Sequence, residues 1–193
     1  MPISGVDEVG RGAWFGPVVA AAVLLTPAQE HQLLALGVRD SKQLSPQRRF
    51  GLAQSIRAIA TAIAIGYANP RTIDRLNILQ ATLQAMSRAV NRLHPLPEHC
   101  LVDGNQPVPA LPCPQETVIK GDQQSVAIAA ASIVAKVWRD ELIVRLARRY
   151  PAYDLANNKG YGTAKHRAAL FEYGPTPLHR LSFKPCRLAN DTP

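Results

Sequence analysis

The stretch GVDEVGRGAWFGPVVAAAVLL, residues 5–25, decides the fold of the N-terminal region. Residues 3–7 and 17–25 are short apolar runs rich in β-branched side chains and bounded by glycines. Gly10, Arg11 and Gly12 lie between them, and such residues are typical of tight turns. The stretch therefore predicts an N-terminal pair of strands, with Asp7 and Glu8 at the end of the first strand.

Beyond this pair, helical and strand patterns alternate. Apolar residues at helical spacing predict helices over residues 46–59, 78–93, 125–149 and 164–173, and Ser45 before Pro46 is a typical helix start. Short apolar runs predict strands over residues 61–68, 100–102 and 117–120. Strands interleaved with helices indicate an α/β fold with a mixed central sheet flanked by helices.

The composition is that of a basic globular protein. Lys and Arg number 22 against 14 acidic residues, and half of the basic residues lie from Lys136 onward. A net charge of +8 favours polyanionic partners, although many basic proteins bind no nucleic acid. Three widely spaced cysteines form neither a disulfide framework nor a zinc motif. The apolar run 18–25 is too short for a membrane helix, so we expect a cytoplasmic monomer with no membrane association.

Four acidic residues, each within two residues of a glycine, stand where predicted strands end. They are Asp7 and Glu8, Asp103 before Gly104, and Asp122 after Gly121. Mg²⁺ and Mn²⁺ prefer carboxylate oxygens, and a pair of such ions needs several carboxylates from separate elements. A single Asp in a glycine turn is more often structural, because it accepts backbone hydrogen bonds there. Neighbours on a strand also point to opposite faces, so Asp7 and Glu8 can share a metal only if the strand ends there.

Motifs for other chemistries are missing from the sequence. Gly10 and Gly12 begin a dinucleotide-binding pattern, but Phe15 occupies the position of its third glycine. The sequence has no phosphate-binding loop of the G-x-x-x-x-G-K-[ST] type, no G-x-S-x-G elbow and no H-E-x-x-H motif. The five histidines do not fall into metal-ligand spacings. A metal-dependent nuclease is the function that the acidic residues and the basic charge favour.

The sequence resembles the ribonuclease HII family, the bacterial type 2 ribonucleases H. Six ordered blocks that span nearly the whole chain carry the resemblance: residues 5–25, DSKQLS (40–45), LVDGN (101–105), VIKGDQQSVAIAAASIVAKVWRD (118–140), NNKGYGTAKH (157–166) and GPTPLHRLSFKP (174–185). The resemblance implies a ribonuclease H-like core over residues 1–150 and a C-terminal helical extension over residues 151–193, in one compact unit.

The resemblance also implies an activity. Members of this family are endonucleases that hydrolyse the RNA strand of RNA–DNA hybrids and cut 5′ of ribonucleotides embedded in duplex DNA. We expect two-metal catalysis with Mg²⁺ or Mn²⁺ that leaves 3′-hydroxyl and 5′-phosphate ends.

The resemblance assigns roles to particular positions. Asp7, Glu8, Asp103 and Asp122 match the catalytic, metal-binding carboxylates of the family. The turn formed by Gly10, Arg11 and Gly12 matches the segment that recognises the ribose 2′-hydroxyl, the group that separates RNA from DNA. Tyr161 matches a tyrosine that packs beside the neighbouring deoxyribose, although a surface tyrosine in a turn is the plainer alternative. Ser41 and Lys42 are candidates for a phosphate contact, with a solvated lysine at a helix entry as the alternative.

Two rival functions stay open at this point. One is a basic module that binds RNA–DNA hybrids without cutting them, with the carboxylates serving only to cap turns. The other is a nuclease of the same fold that acts on DNA ends or recombination intermediates, for which a ribose-recognising turn has no purpose. Cleavage that depends on a divalent metal distinguishes the ribonuclease from the binding module. Cleavage of a duplex with a single ribonucleotide, but not of an all-DNA duplex, distinguishes it from the DNA nuclease.

Overall fold

The computed structural model describes residues 2–39 and 44–190, so Ser41 and Lys42 lie outside the described residues. Within these ranges the strands are β1 (Ile3–Val9), β2 (Val18–Leu25), β3 (Ala62–Ala68), β4 (His99–Asp103) and β5 (Gln115–Val118). The helices are α1 (Pro27–Ala35), α2 (Pro46–Ile59), α3 (Pro70–Leu76), α4 (Ile78–Val90), α5 (Val126–Ala147), α6 (Leu155–Asn158), α7 (Ala164–Tyr173) and α8 (Lys184–Asn190). No helix in the described ranges is long and apolar enough to cross a membrane.

The described strands form one mixed sheet in the order β3-β2-β1-β4-β5. β1 pairs antiparallel with β2, which pairs antiparallel with β3, and β1, β4 and β5 run parallel to one another. The predicted mixed sheet and the predicted N-terminal strand pair are therefore confirmed. β1 lies at the centre of the sheet, next to a parallel neighbour whose carboxyl end lies at the same edge.

Helices cover both faces of the sheet, which explains the continuous apolar run in β2. Every residue of β2 is buried, because its side chains alternate between two cores. Ala21, Val23 and Leu25 pack in the core formed with α1, α2 and α5. Ala20, Ala22 and Leu24 pack in the core formed with α4 and β4.

Helix α5 crosses β1 at very close range. A Cβ atom added to Gly5 would lie 2.0 Å from the carbonyl carbon of Ala127, so only glycine allows the helix to approach the strand here. The contact places the length of α5 beside the end of β1. Side chains of α5 can therefore reach the residues that follow Val6 on the strand.

The C-terminal segment packs on the segment that joins β1 to β2. Trp14 and Phe15 are buried among side chains of α5, α7 and α8, including Ile143, Leu170 and Cys186. A backbone bridge between Phe15 and His179 adds to this contact. The chain after residue 150 therefore shares a core with the residues that follow Gly12.

Most predicted helices are confirmed, and α2 and α7 have the predicted bounds. Helix α1 was missed, although Thr26 and Gln29 form a reciprocal capping box at its start that the sequence pattern could have revealed. β1 runs to Val9 rather than ending at residue 7, and β5 ends two residues earlier than predicted. Asp122 consequently lies in a single 3-10 turn, Gly121–Gln123, rather than directly after a strand.

Candidate active site

The carboxyl ends of β1 and β4 create the candidate site. Parallel pairing between these strands covers Ile3 to Val6 and stops at Val102, so β4 reaches its end at Asp103 just as β1 loses this neighbour. β1 continues to Val9 while paired with β2. The part of β1 that carries Asp7 and Glu8 therefore has no strand paired on its β4 side, and Asp103 lies beside it.

Three of the four predicted carboxylates meet at this opening. Asp7, Glu8 and Asp103 each offer an oxygen, and these oxygens lie within 4.8 Å of one another. β1 continues past Asp7 to Val9, yet the Asp7 and Glu8 carboxylates still approach each other. The expectation that they could do so only at the end of a strand was therefore wrong. Pairing between β1 and β4 ends at Val6, and beyond this point the Glu8 carboxylate lies close to those of Asp7 and Asp103. The backbone N–H of Glu8 also donates to Asp7 Oδ1 at 2.7 Å.

The cluster is electrostatically costly by itself. Burial raises the pKa of Asp7 well above its ordinary value, and the nearby charges of Glu8 and Asp103 raise it further. Hydrogen bonds from the Ser132 hydroxyl and the Glu8 N–H act in the opposite direction. Burial also raises the pKa of Glu8, and the charge and hydrogen bond of Arg11 oppose this. A divalent cation would offset the repulsion, so this donor set of hard carboxylate oxygens fits Mg²⁺ or Mn²⁺.

Asp122 lies near this cluster but is not one of the three converging residues. Its preceding residue, Gly121, donates its N–H to Asp103 Oδ1 at 2.7 Å. Asp122 is buried, and it lines a separate cavity together with Ser125 and Ala129. The 3-10 turn therefore joins Asp122 to the cluster through one peptide and one hydrogen bond.

Two buried arginines hold the segment that joins β1 to β2. Arg139 of α5 donates to the carbonyls of Phe15, Pro17 and Lys159 at 2.9–3.0 Å. Arg180 donates to the carbonyls of Arg11 and Gly16 at 2.8 and 3.0 Å. Both guanidinium groups are fully buried, and burial lowers the pKa of Arg180 to about 9. The backbone from Arg11 to Pro17 is therefore held by guanidinium donors from α5 and from the C-terminal segment.

Gly10 is required by this arrangement for two reasons. Its φ is +86°, a conformation that side chains with a Cβ rarely adopt. A Cβ at this position would also lie 2.2 Å from Arg139 Nε. Gly12 is different, since a Cβ there would meet no heavy atom within 4 Å among the described residues.

One cleft of about 430 Å³ brings the predicted residues together. Its walls include the carboxylates of Asp7, Glu8 and Asp103, the turn from Gly10 to Gly12, and Tyr161. The Tyr161 ring lies 5.6 Å from Lys136 Nζ and 5.5 Å from the Arg139 guanidinium carbon. The tyrosine is therefore part of the cleft, although it follows Asp7 by more than 150 residues.

Sequence reasoning missed other residues of the cleft. Ser132, Lys136 and Arg49 also line it. Ser132 and Lys136 are four residues apart on α5, a spacing that places them on one face and could have revealed them. Lys136 also pairs with Asp140 at 3.0 Å. The buried positions of Arg139 and Arg180 had no signal in the sequence, because arginine is most often exposed.

A mixed sheet with an acidic cluster at the ends of two adjacent parallel strands, flanked by a cleft with basic side chains, defines a metal-dependent nuclease of the ribonuclease H-like class. The sequence profile named Ribonuclease HII matches residues 4–186. The chain is 65% identical over 185 residues to the ribonuclease HII of Acaryochloris marina, with 96% of this chain and 93% of that protein covered. The chain therefore belongs to the ribonuclease HII family, whose members cleave RNA in RNA–DNA hybrids.

Solved structures share this fold. The ribonuclease H2 of Pyrococcus horikoshii OT3 superposes with a TM-score of 0.83 at 26% identity, covering 99% of this chain and 98% of that chain. Bst-RNase HIII in complex with Mn²⁺ superposes with a TM-score of 0.78 at 22% identity, covering 98% of this chain and 69% of that chain. The predicted ribonuclease H-like fold is confirmed, and the protein is a metal-dependent endoribonuclease.

Proposed function

We propose that this protein cuts duplex DNA on the 5′ side of an embedded ribonucleotide, in addition to cleaving RNA–DNA hybrids, and leaves 3′-hydroxyl and 5′-phosphate ends. The observation that carries the proposal is the shared cleft, in which three carboxylates, the turn from Gly10 to Gly12 and Tyr161 face one space. Carboxylates suited to metal binding thus lie a few residues from a turn suited to recognising a ribose.

The carboxylates are proposed to hold two divalent ions, Mg²⁺ or Mn²⁺. Bound there, the ions would supply an acidified water and stabilise the charge that develops on the leaving 3′-oxygen. The convergence of Asp7, Glu8 and Asp103 supports their role as ligands directly. Asp122 is proposed as the fourth ligand, and its support is its burial and its place next to Gly121, which binds Asp103.

The other residues of the cleft orient the ligands and attract the substrate. The Ser132 hydroxyl bonds to Asp7, and the Arg11 side chain donates to Glu8 Oε1 at 3.2 Å. Lys136 and Arg49 bring positive charge to the cleft, which favours the binding of phosphates. A complex of Bst-RNase HIII with Mn²⁺ also supports a divalent ion in this fold.

Ribose recognition is assigned to the turn. The 2′-hydroxyl both donates and accepts a hydrogen bond, so fixed backbone groups can select it. Arg180 donates to the carbonyl of Arg11 within the turn, and Arg139 donates to that of Phe15 shortly after it. These buried bonds support a turn whose backbone groups are held in place. Tyr161 is proposed to pack beside the deoxyribose next to the ribonucleotide.

The proposal is tested with three duplexes of one sequence: all-DNA, DNA with a single ribonucleotide, and an RNA–DNA hybrid. With Mg²⁺ or Mn²⁺ we expect cleavage of the last two, and the all-DNA duplex should stay intact. Cutting of the all-DNA duplex would refute ribose recognition and favour the rival DNA nuclease. Binding without cleavage of any duplex would favour the rival hybrid-binding module.

Substitutions test the carboxylates. Asp103→Asn and Asp122→Asn should abolish cleavage of both substrates while leaving substrate affinity within about threefold, because a few phosphate contacts dominate affinity. Glu172→Gln, on the exposed surface of α7, removes the same charge and should cleave like the unmodified protein. Normal turnover in the Asp122 variant would remove Asp122 from the ligand set.

A further inference from the structure

Two buried histidines form a hydrogen-bonded pair in the C-terminal segment. His166, in the first turn of α7, and His179 are both essentially inaccessible to solvent. Their Nε2 atoms lie 3.1 Å apart, so one nitrogen must donate a proton and the other must accept it. Neither histidine lines the cleft, and neither has a role in the chemistry described above.

The surrounding bonds determine which way the protons point. The backbone N–H of Thr176 can only donate, and it lies 2.9 Å from His179 Nδ1, so this nitrogen accepts. The proton of neutral His179 is therefore on Nε2 and is donated to His166 Nε2. His166 then carries its proton on Nδ1, which lies 2.9 Å from the carbonyl oxygen of Tyr161. The bonds run in one direction from Thr176 to Tyr161.

Burial keeps both rings neutral, as this arrangement requires. It lowers the pKa of His179 to about 3 and also lowers that of His166. The Trp14 ring centre lies 5.4 Å from that of His166, and Phe15 lies 5.1 Å from His179. Water cannot replace a broken bond in such surroundings, so each bond of the chain constrains its neighbours strongly.

The pair connects the two parts of the cleft that are proposed to contact sugars. On one side, the carbonyl of Tyr161 accepts from His166 and also from the N–H of Thr163 at 2.9 Å. On the other side, the backbone around His179 bonds to the segment after Gly12. Gly16 donates to Leu178, Arg180 donates to Trp14, and Phe15 forms a bridge with His179.

We propose that His166 and His179 are positioning residues that set the place of Tyr161 relative to the turn from Gly10 to Gly12. In this way they set the preference for a junction between a ribonucleotide and a deoxyribonucleotide over a uniform RNA–DNA hybrid. The inference rests on the proposed role of Tyr161. His166 and His179 themselves do not contact the substrate, and they act on it only through the position of Tyr161.

Two substitutions at the same position separate this role from packing. The amide nitrogen of asparagine falls near the position of a histidine Nδ1, and the amide oxygen of glutamine can fall near that of Nε2, where it accepts from His179 Nε2. His166→Asn can therefore still donate to the Tyr161 carbonyl, whereas His166→Gln loses this bond and keeps the contact with His179. The readout is the ratio of kcat/KM on the single-ribonucleotide duplex to kcat/KM on the hybrid, with Tyr161→Ala as the reference for full loss.

We expect His166→Gln to lower the ratio about fivefold to tenfold, the order of one lost buried hydrogen bond, and to approach Tyr161→Ala. His166→Asn should keep the ratio within about twofold. If Tyr161→Ala lowers the ratio but the two His166 variants behave alike, the inference is wrong and the proposed function stands. If Tyr161→Ala leaves the ratio unchanged, the role of Tyr161 fails and the inference fails with it.

The positions of the imidazole protons can be tested in the unmodified protein, without any substitution. Nitrogen NMR of the imidazole rings in the unmodified protein should show a bare Nδ1 and a protonated Nε2 on His179. His166 should show the reverse pattern, with its proton on Nδ1. The opposite tautomers, or a charged ring at neutral pH, would overturn the inference.

Discussion

Replacement of Asp7 by asparagine should stabilise the metal-free protein while abolishing its activity. The oxygens of Asp7, Glu8 and Asp103 lie within 4.8 Å of one another. At an effective dielectric constant of about 20, two full charges at this distance repel by about 3 kcal/mol. Asparagine keeps the shape of the side chain and an oxygen that can accept from the Glu8 N–H. We therefore expect a net gain of about 1–3 kcal/mol, after allowance for solvent and for Arg11.

The assay is thermal unfolding at pH 7.5, in EDTA and then in Mg²⁺ or Mn²⁺. In EDTA the variant should unfold several degrees above the unmodified protein, because 1 kcal/mol corresponds to ~2–4 °C at this chain length. The divalent ion should stabilise the unmodified protein by more than it stabilises the variant. Glu172→Gln serves as the control for loss of one exposed charge. A variant no more stable than the unmodified protein in EDTA would refute the argument from charge repulsion.

Two further predictions concern stability. Gly10→Ala should lower the free energy of unfolding by about 2 kcal/mol or more, because Gly10 has a positive φ and a Cβ there would overlap Arg139. The matched control Gly12→Ala should change the free energy of unfolding by under about 1 kcal/mol. Equal midpoints of urea unfolding for the two variants would contradict this prediction. The second prediction concerns the pH dependence of stability. The pKa of His179 is about 3 in the folded protein and ordinary in the unfolded chain. As the pH falls from about 6.5 towards 3, only the unfolded chain takes up a proton, and the free energy of unfolding therefore decreases. Between pH 6 and 4.5 the unmodified protein should lose about 1.4 kcal/mol per pH unit more than His179→Leu, measured by urea unfolding at each pH, and parallel pH profiles would rule this out.

The sequence by itself determined the class of fold and the set of candidate residues. Apolar periodicity and the Ser45 cap predicted α2 with its observed bounds, because both are local signals. The alternation of strands and helices predicted the mixed sheet, and the resemblance identified the family that the comparisons confirm. Asp7 and Asp103 could be selected because each follows an apolar strand beside a glycine.

Only the tertiary structure decided which of these residues meet. The strand pattern predicted opposite directions for Asp7 and Glu8, yet the end of pairing between β1 and β4 lets both carboxylates approach Asp103. The same packing leaves Asp122 in a neighbouring turn. Such convergence depends on where pairing between strands stops, and no local pattern encodes that.

The residues that hold the turn and Tyr161 in place, Arg139 and the pair of His166 and His179, could not be recognised from the sequence either. Arg139 bonds to Phe15 across more than 100 residues, and a backbone bridge joins Phe15 to His179 across a similar distance in sequence. Arginine is mostly exposed in proteins and histidine is intermediate, so the burial of these residues cannot be read from composition or spacing. Burial makes these contacts strong and specific, because water no longer competes for the donors, and burial is a property of the folded chain alone.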